Sequence, residues 1–244
     1  MMGPVLILGG RSDIGLAAAH ALAKRGHPVQ LAARKADSLS AEKADMELRY
    51  NVAVSLHEFD ALDVAGHEGF VDSLDVLPQI VVCAVGVLGN QAGDQRDVEA
   101  GVQVMRANFE GPASILAVMA NRFEARGSGT LVGISSVAGD RGRATNYIYG
   151  AAKAGFTAYL SGLRNRLAKK GVHVVTVLPG FVATRMTDGL ELPPKLTAEP
   201  AEVGEAIALA IEKKRNVIYV KPIWWLVMAI IRNIPEAVFK GLKL

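Results

Sequence analysis

The sequence predicts a single-domain α/β fold, a doubly wound parallel β-sheet of about seven strands with helices on both faces. Three observations predict it. Short β-branched apolar runs alternate with longer stretches of helical periodicity along the chain. Several of those runs are apolar throughout, as strands covered on both faces are. No linker or low-complexity segment divides the 244 residues, and 50% of them are hydrophobic, enough for one large core.

The elements follow in order. Val5–Leu8 reads as a buried strand, and Ile14 to Lys24 as a helix with Ile14, Ala17, Ala18, Ala21 and Leu22 on one face. Val29–Ala33 is a second strand, Ser38–Tyr50 a helix, Ala53–Phe59 a third strand and Val64–Leu74 a weaker helix. Ile80–Val85 is a fourth strand. Arg96–Ala125 covers one or two helices, Gly129–Ser135 a strand, Tyr147–Lys169 a helix and Val172–Leu178 a strand. Thr187–Pro200 is polar and proline-rich, a surface loop or a flap over a site. Pro200–Lys213 is a helix and Asn216–Val220 the last strand. Right-handed crossovers then put helices on both faces. Residues 1–220 are expected to form this domain, and residues 221–244 an amphipathic basic tail.

Composition narrows the function classes. A formal net charge of +3 gives no argument for nucleic acid. The charge is uneven, however: from Lys213 onward seven Lys/Arg face one acid, Glu236. The lone Cys83 excludes an internal disulfide and a cysteine-based zinc cluster, and fits a reducing compartment. The apolar start lacks a cationic n-region. The longest apolar run near the C-terminus, Pro222–Ile231, falls short of the roughly 20 residues a spanning helix needs. A cytoplasmic protein is expected, with a membrane-peripheral position left open. His20, His27, His57, His67 and His173 show no ligand spacing, so no metal is expected.

Between the first strand and first helix lies Leu8-Gly9-Gly10-Arg11-Ser12-Asp13-Ile14-Gly15. A dinucleotide-binding turn needs glycine where backbone approaches the pyrophosphate, and a free helix N-terminus to receive its charge. Gly9, Gly10 and Gly15 meet those needs in the Rossmann arrangement; the other reading is an ordinary turn. Asp13 is expected to turn back and cap the helix, away from the ligand. The second strand ends at Ala33, where an NAD site usually places an acid. Arg34 and Lys35 follow it, and Arg11 lies in the turn, so these bases favour the 2′-phosphate of NADP over NAD. The alternative is that Arg34 and Lys35 are solvated loop charges.

Tyr149-Gly-Ala-Ala-Lys153 places a phenol and an ammonium on one helix face. The ammonium is expected to lower the Tyr149 pKa and make it a general acid or base. Ser136 ends the fifth strand, at the sheet edge where ligands of open parallel sheets bind. Asn108 is a polar residue in an apolar helical stretch; its structural reading is a buried asparagine that satisfies a helix kink.

Together with Asp60 after the third strand and Pro179-Gly180-Phe181-Val182-Ala183-Thr184, these residues resemble the short-chain dehydrogenase/reductase family, over about residues 3–220 in order. The resemblance implies that Tyr149 exchanges a proton with the substrate oxygen and that Ser136 orients that oxygen. It implies that Lys153 holds the nicotinamide ribose and that Asn108 supports a water in the relay. Asp60 would meet the adenine edge. Ser12, Ile14, Ala84, Gly86 and Pro179 would line the cofactor, and Val182 and Thr184 would contact the nicotinamide and its phosphate. A homodimer or homotetramer is implied too. Two motifs depart from the family pattern: the glycine turn carries Leu8 and Asp13, and Cys83-Ala84-Val85-Gly86 replaces Asn-Asn-Ala-Gly.

A narrower resemblance is to the decaprenylphosphoryl 2-ketopentose (2-ketoribose) reductases. It rests on the glycine turn, Phe59-Asp60-Ala61-Leu62-Asp63, Gly86-Val87-Leu88-Gly89, Ala138-Gly139-Asp140-Arg141-Gly142-Arg143 and the tail around Ile231–Pro235 and Val238-Phe239. It implies a lipid-linked keto-sugar substrate. Arg141 and Arg143 would then meet a substrate phosphate, or else lie in a solvated turn. Tryptophan and cations in the tail (Trp224, Trp225, Lys221, Arg232, Lys240, Lys243) suit a membrane interface; packing onto the domain or a subunit neighbour is favoured over it. A 3-oxoacyl thioester or small-ketone reductase is the next reading, and a non-catalytic dinucleotide sensor a remote one.

Overall fold

The computed structural model describes residues 2–242; Lys243 of the tail lies outside the described residues. The first strand, β1 (Val5–Leu8), shows why the sheet must be central. Its four side chains are wholly buried, and they alternate between faces. Val5 and Ile7 join one core cluster while Leu6 and Leu8 join the other.

Seven parallel strands form the sheet: β2 (Val29–Ala33), β3 (Val54–Glu58), β4 (Ile80–Cys83), β5 (Gly129–Ile134), β6 (Val172–Pro179) and β9 (Val217–Val220) join β1 in the order β3-β2-β1-β4-β5-β6-β9. Val5 pairs with Val29 on one side and Ile80 on the other, so the order reverses at β1 and β4 and opens a crevice beyond their carboxyl ends.

One face carries α1 (Asp13–Ala23), α2 (Ser40–Tyr50) and α8 (Pro200–Glu212). Gly204 lets α8 lie against α1, because a Cβ there would stand 2.3 Å from the Ala17 carbonyl oxygen. The other face carries α3 (His67–Asp72), α6 (Gly111–Arg126) and α7 (Tyr147–Leu167), around Phe123, Met119, Phe156 and Leu160. Cys83 packs within this second core, its thiol pushed up to about 11 by burial.

Some elements are more broken than the periodicity predicts. The segment before α2 is a 3-10 turn, Ala36–Leu39, and the helix at Val64 begins as another, Val64–Gly66. The stretch from Arg96 resolves into α5 (Val98–Met105), a π-helical turn Arg106–Glu110, and α6; a short α4 (Gln91–Asp94) precedes it. Two two-residue strands, β7 (Phe181–Val182) and β8 (Thr197–Ala198), pair in a small second sheet that the periodicity does not predict.

The tail forms α9 (Ile223–Asn233) and α10 (Glu236–Phe239). Trp224 and Met228 of α9 pack on Val137 and Leu178 in a third cluster. Among the described residues no helix is long and apolar enough to cross a membrane.

Candidate active site

Two concavities adjoin at the carboxyl end of the sheet. One, of about 640 Å³, is lined by Gly9, Arg11, Ser12, Asp13, Arg34 and Asp60; the other, of about 570 Å³, by Ser136, Tyr149, Lys153, Pro179 and Trp224. They share Ser12, Ile14, Ala84, Gly86 and Thr184, and so form one continuous cleft over the strand ends.

The glycine turn is built from backbone. Gly9 and Gly10 N–H both donate to the Ala32 carbonyl at 2.9 Å, folding the chain back over β2. Gly9 has φ of +89°, and a Cβ there would stand 3.0 Å from the Ala84 carbonyl, so glycine is required twice over. At Gly15 a Cβ would press to 2.6 Å of the Gly9 oxygen. Ser12 caps α1, its hydroxyl accepting from Gly15 N–H. The expectation for Asp13 is corrected here: its carboxylate does not cap the helix. It accepts from Arg185 N–H and Nε, both at 2.8 Å, while Arg185 Nη2 donates to the Arg11 carbonyl. A residue beyond β7 thus straps the turn.

At the end of β2, Ala33 is buried while Arg34 and Lys35 are exposed. Glu58 on β3 has both oxygens occupied by Lys35 and Ala36 N–H at 2.9 Å, which lowers its pKa. Asp60 is exposed beyond β3 and accepts from Leu62 N–H.

The second concavity gathers Ser136, Tyr149, Lys153 and Asn108. Ser136 follows β5; its Oγ accepts from Ala138 N–H at 3.1 Å and hydrogen-bonds Tyr149. Tyr149 and Lys153 share one face of α7, and Lys153 Nζ lies 5.7 Å from the centre of the Tyr149 ring. Lys153 is 4% exposed; its Nζ donates to the Ile134 carbonyl at 2.9 Å, and burial brings its pKa down to about 8. The expectation that Lys153 lowers the Tyr149 pKa is corrected here: burial raises that pKa, and the Ser136 hydrogen bond is the group that draws it back toward phenolate. Asn108 stands in the π-helical turn, fully buried. Its Nδ2 donates to the carbonyls of Val87 and Val104, and its Oδ1 accepts from Val87 N–H. Gly86 leaves room for it: a Cβ there would fall 2.6 Å from Asn108 Oδ1.

The far wall comes from β6 onward. Val182 is buried in the small sheet, and Thr184 is fixed by Thr187, whose hydroxyl donates to the Val182 carbonyl at 2.6 Å. Pro179 ends β6, and the ring of Trp224 lies directly against Gly180. Trp224 Nε1 donates to the Leu196 carbonyl, and its ring meets Phe181 edge-on at 5.4 Å.

Of the two arginines expected near a substrate phosphate, Arg143 lines the cavity. Arg141 does not. It donates to the carbonyls of Ile231, Arg232 and Ile234, pairs with Glu236 at 2.9 Å and lies 3.5 Å over the Phe239 ring. It clamps the end of α9, whose free carbonyls attract a cation.

Three contributors escape the sequence reading of the site: Arg185, Trp224 and Gln91, whose Oε1 accepts from Ile148 N–H at the start of α7. Gly180 is the one local sign of a large side chain pressed on the strand end.

The family model described as "short chain dehydrogenase" matches residues 4–194. An uncharacterized oxidoreductase of Mycobacterium tuberculosis is 39% identical over 220 residues, which cover 89% of this chain and 88% of that protein. An uncharacterized oxidoreductase of Streptomyces coelicolor is 35% identical over 242 residues, 98% of this chain and 95% of that protein. Among solved structures, a short-chain dehydrogenase from Sphingobium yanoikuyae in complex with NADPH is similar with a TM-score of 0.82 at 26% identity, covering 97% of this chain and 98% of that one.

Proposed function

Because the chain belongs to the short-chain dehydrogenase family, we propose that it is an NADP(H)-dependent oxidoreductase acting between a carbonyl and an alcohol, with Tyr149 as the proton-transfer group. The observation that carries this reading is the convergence of Ser136, Tyr149 and Lys153 in a cavity continuous with the glycine-turn cleft.

The residues present fit the cofactor. The turn needs glycine at Gly9 and Gly15, and leaves the α1 N-terminus for a pyrophosphate, with Arg11, Ser12, Asp13 and Ile14 beside it. Arg34 is exposed at the end of β2 and lines the cleft together with Arg11, which supports a 2′-phosphate there. Asp60, Ala84, Gly86, Pro179, Val182 and Thr184 line the rest of the cleft. NADPH, when bound, supplies hydride to the substrate carbonyl carbon.

The chain's own residues manage the oxygen. Ser136 donates to it and fixes its direction. Tyr149 gives it a proton, and takes one back in alcohol oxidation. Lys153 holds the nicotinamide ribose from the buried end of the cavity. Asn108 keeps the π-helical turn and the Val87 backbone in register, and supports a water that links Lys153 to solvent.

The test is a paired measurement on wild type and Tyr149→Phe. Turnover of a ketone panel should drop about 10²–10⁴-fold, with NADPH affinity within a few-fold and NADPH bound ahead of NADH. Retained turnover would remove Tyr149 from its role, and equal affinity for the two dinucleotides would remove the NADP assignment.

The finer reading puts the carbonyl on a sugar carried by a polyprenyl phosphate, met at a lipid surface. Its support is the outer face of α9, where Ile223, Trp225, Leu226 and Ile230 are 48–60% exposed beside Lys221 and Arg232. A homo-oligomer is supported by a second apolar stripe. Val98, Val102, Met105 and Phe109 recur at helical spacing along α5 and the π turn, all exposed.

A further inference from the structure

Asp13 brings a carboxylate into a cleft that the rest of the turn prepares for an anion. It is the first residue of α1, next to the Ser12 cap, and it lines the concavity together with Gly9, Arg11 and Arg34. An acid in the first turn suits the helix dipole. The same end of the helix, however, is where free N–H groups would receive a pyrophosphate. Two like charges about 6 Å apart in partly solvated surroundings repel enough to weaken binding roughly 10-fold. A carboxylate in this position therefore opposes the ligand unless a cation cancels it.

Arg185 is placed to cancel it. Its backbone N–H and its Nε donate to the two Asp13 carboxylate oxygens at 2.8 Å, and its Nη2 donates to the Arg11 carbonyl. Among the described residues, Arg185 is the one cation that pairs with Asp13. It also lines the concavity. Its backbone is fixed independently of Asp13. The Thr184 N–H donates to Thr187 Oγ1 at 3.1 Å and the Thr187 N–H to the Thr184 carbonyl at 2.9 Å, which braces the 3-10 turn Arg185–Thr187. Ala183 N–H donates to the Ala198 carbonyl in the small sheet. The guanidinium is thus held beside the turn before any ligand arrives, and little side-chain freedom is left to lose on binding.

The strap is poorly placed to stabilise the fold. The Arg185 side chain is 68% exposed and that of Asp13 24%. Ion pairs this open contribute little, because water already solvates the charges. A pair that adds little to folding but stands on the wall of an anion site acts mainly on the anion.

We propose that Arg185 is the counter-charge of the dinucleotide site: it cancels Asp13, and so lets the N-terminus of α1 bind a pyrophosphate beside a carboxylate. This rests on the dinucleotide reading above and adds a residue to it. Arg185 acts through Asp13, as a positioning residue, and takes no part in proton or hydride transfer. The local charge of the pair then sets affinity. It is neutral in wild type, negative without the guanidinium, positive without the carboxylate and neutral again without both.

The experiment reads that order. NADPH and NADH are titrated calorimetrically, at low salt, into wild type, Arg185→Met, Asp13→Asn and the double variant. Arg185→Met should weaken both dinucleotides about 10-fold, and Asp13→Asn should tighten both about 3–10-fold. The double variant should return to within about 3-fold of wild type. Arg185→Lys, which keeps the charge and loses the fork, should also stay within about 3-fold. In about 1 M NaCl the affinities should converge, as screening removes the charge difference. Thermal midpoints within about 4 °C of wild type, as expected for an exposed pair, show that the variants fold. If Arg185→Met does not fold, the sign of the Asp13→Asn shift decides by itself.

Several results overturn the proposal. A loss in Asp13→Asn equal to that in Arg185→Met makes the strap a structural brace. A double variant as weak as Arg185→Met makes Arg185 a direct ligand of the cofactor. Differences that persist in high salt have no electrostatic origin, and unchanged affinity in every variant leaves the pair no role in binding. Failure of the dinucleotide reading looks different: wild type then binds neither NADPH nor NADH, which removes the cofactor site and the counter-charge together. The order of the variants is read on binding alone, so it supports or overturns the counter-charge whether or not a ketone is reduced and whichever dinucleotide is preferred.

Discussion

Tyr149 is held between two opposing influences: burial pushes its pKa up and the Ser136 hydrogen bond brings it down. These fix the sign of the pH dependence. With Tyr149 as the proposed proton-transfer group, carbonyl reduction needs the phenol and should be lost as pH rises through the Tyr149 pKa; alcohol oxidation needs the phenolate and should be gained there. Removing the group that lowers the pKa must shift both limbs upward. In Ser136→Ala the midpoint of the oxidation limb should therefore move to higher pH, and the rate should fall about 10²–10³-fold with the lost donor. A pH profile of kcat/KM for alcohol oxidation checks it, and an unmoved limb would uncouple the two residues. Tyr149 and Lys153 were legible because an i, i+4 pair is a local pattern. The partners of Asp13 and Arg141 were not. Arg185 lies 172 residues from Asp13, and Ile234 lies 93 from Arg141, so only the fold brings them together.

Elements were legible in proportion to their periodicity. The four wholly buried residues of β1 and the long run of α7 declare themselves over several residues each. The two-residue strands β7 and β8 are too short to carry a period, and the π-helical turn leaves the apolar pattern almost intact while rotating α6 about its axis. The seat of α9 is likewise invisible in its own sequence, since Trp224 and Trp225 are adjacent and only one is buried. Gly180 decides which. A Cβ there would fall 1.9 Å from Trp224 Cε2, on a ring tied by its Nε1 to Leu196, so the whole helix end must give way. Gly180→Ala should lower stability by about 1–3 kcal/mol, shift tryptophan emission to the red and raise KM for the ketone while NADPH affinity holds. Denaturant titration, emission spectra and steady-state kinetics read the three effects; unchanged emission and KM would show that Trp224 does not form the cavity wall.

At the scale of the whole molecule, the two exposed apolar stripes described above each have their own expected occupant. The α5 stripe suits a second copy of the chain, and the outer face of α9 suits a lipid interface, given its tryptophan and the excess of cations from Lys213 onward. A crossed experiment separates them. Val102→Asp should lower the mass seen by light scattering and leave flotation with phosphatidylcholine–phosphatidylglycerol vesicles unchanged. Trp225→Glu with Ile230→Glu should abolish flotation and leave the mass unchanged. Loss of mass in the α9 variant would assign that face to self-association, and absence of flotation in wild type would end the lipid reading. Composition showed that the tail was amphipathic, but which of its faces the domain takes depends on Val137, Leu178 and Gly180, far back in the chain.

The position of Trp224 also divides the cleft along the chain. The wall it forms comes after β9, the last strand of the seven, in the direction of synthesis. The sheet, the glycine turn and the Asp13–Arg185 strap all lie in residues that precede this wall. On the proposed reading, a cleavage between Val220 and Trp224 would spare the residues expected to hold the dinucleotide and open the chamber in which it is used.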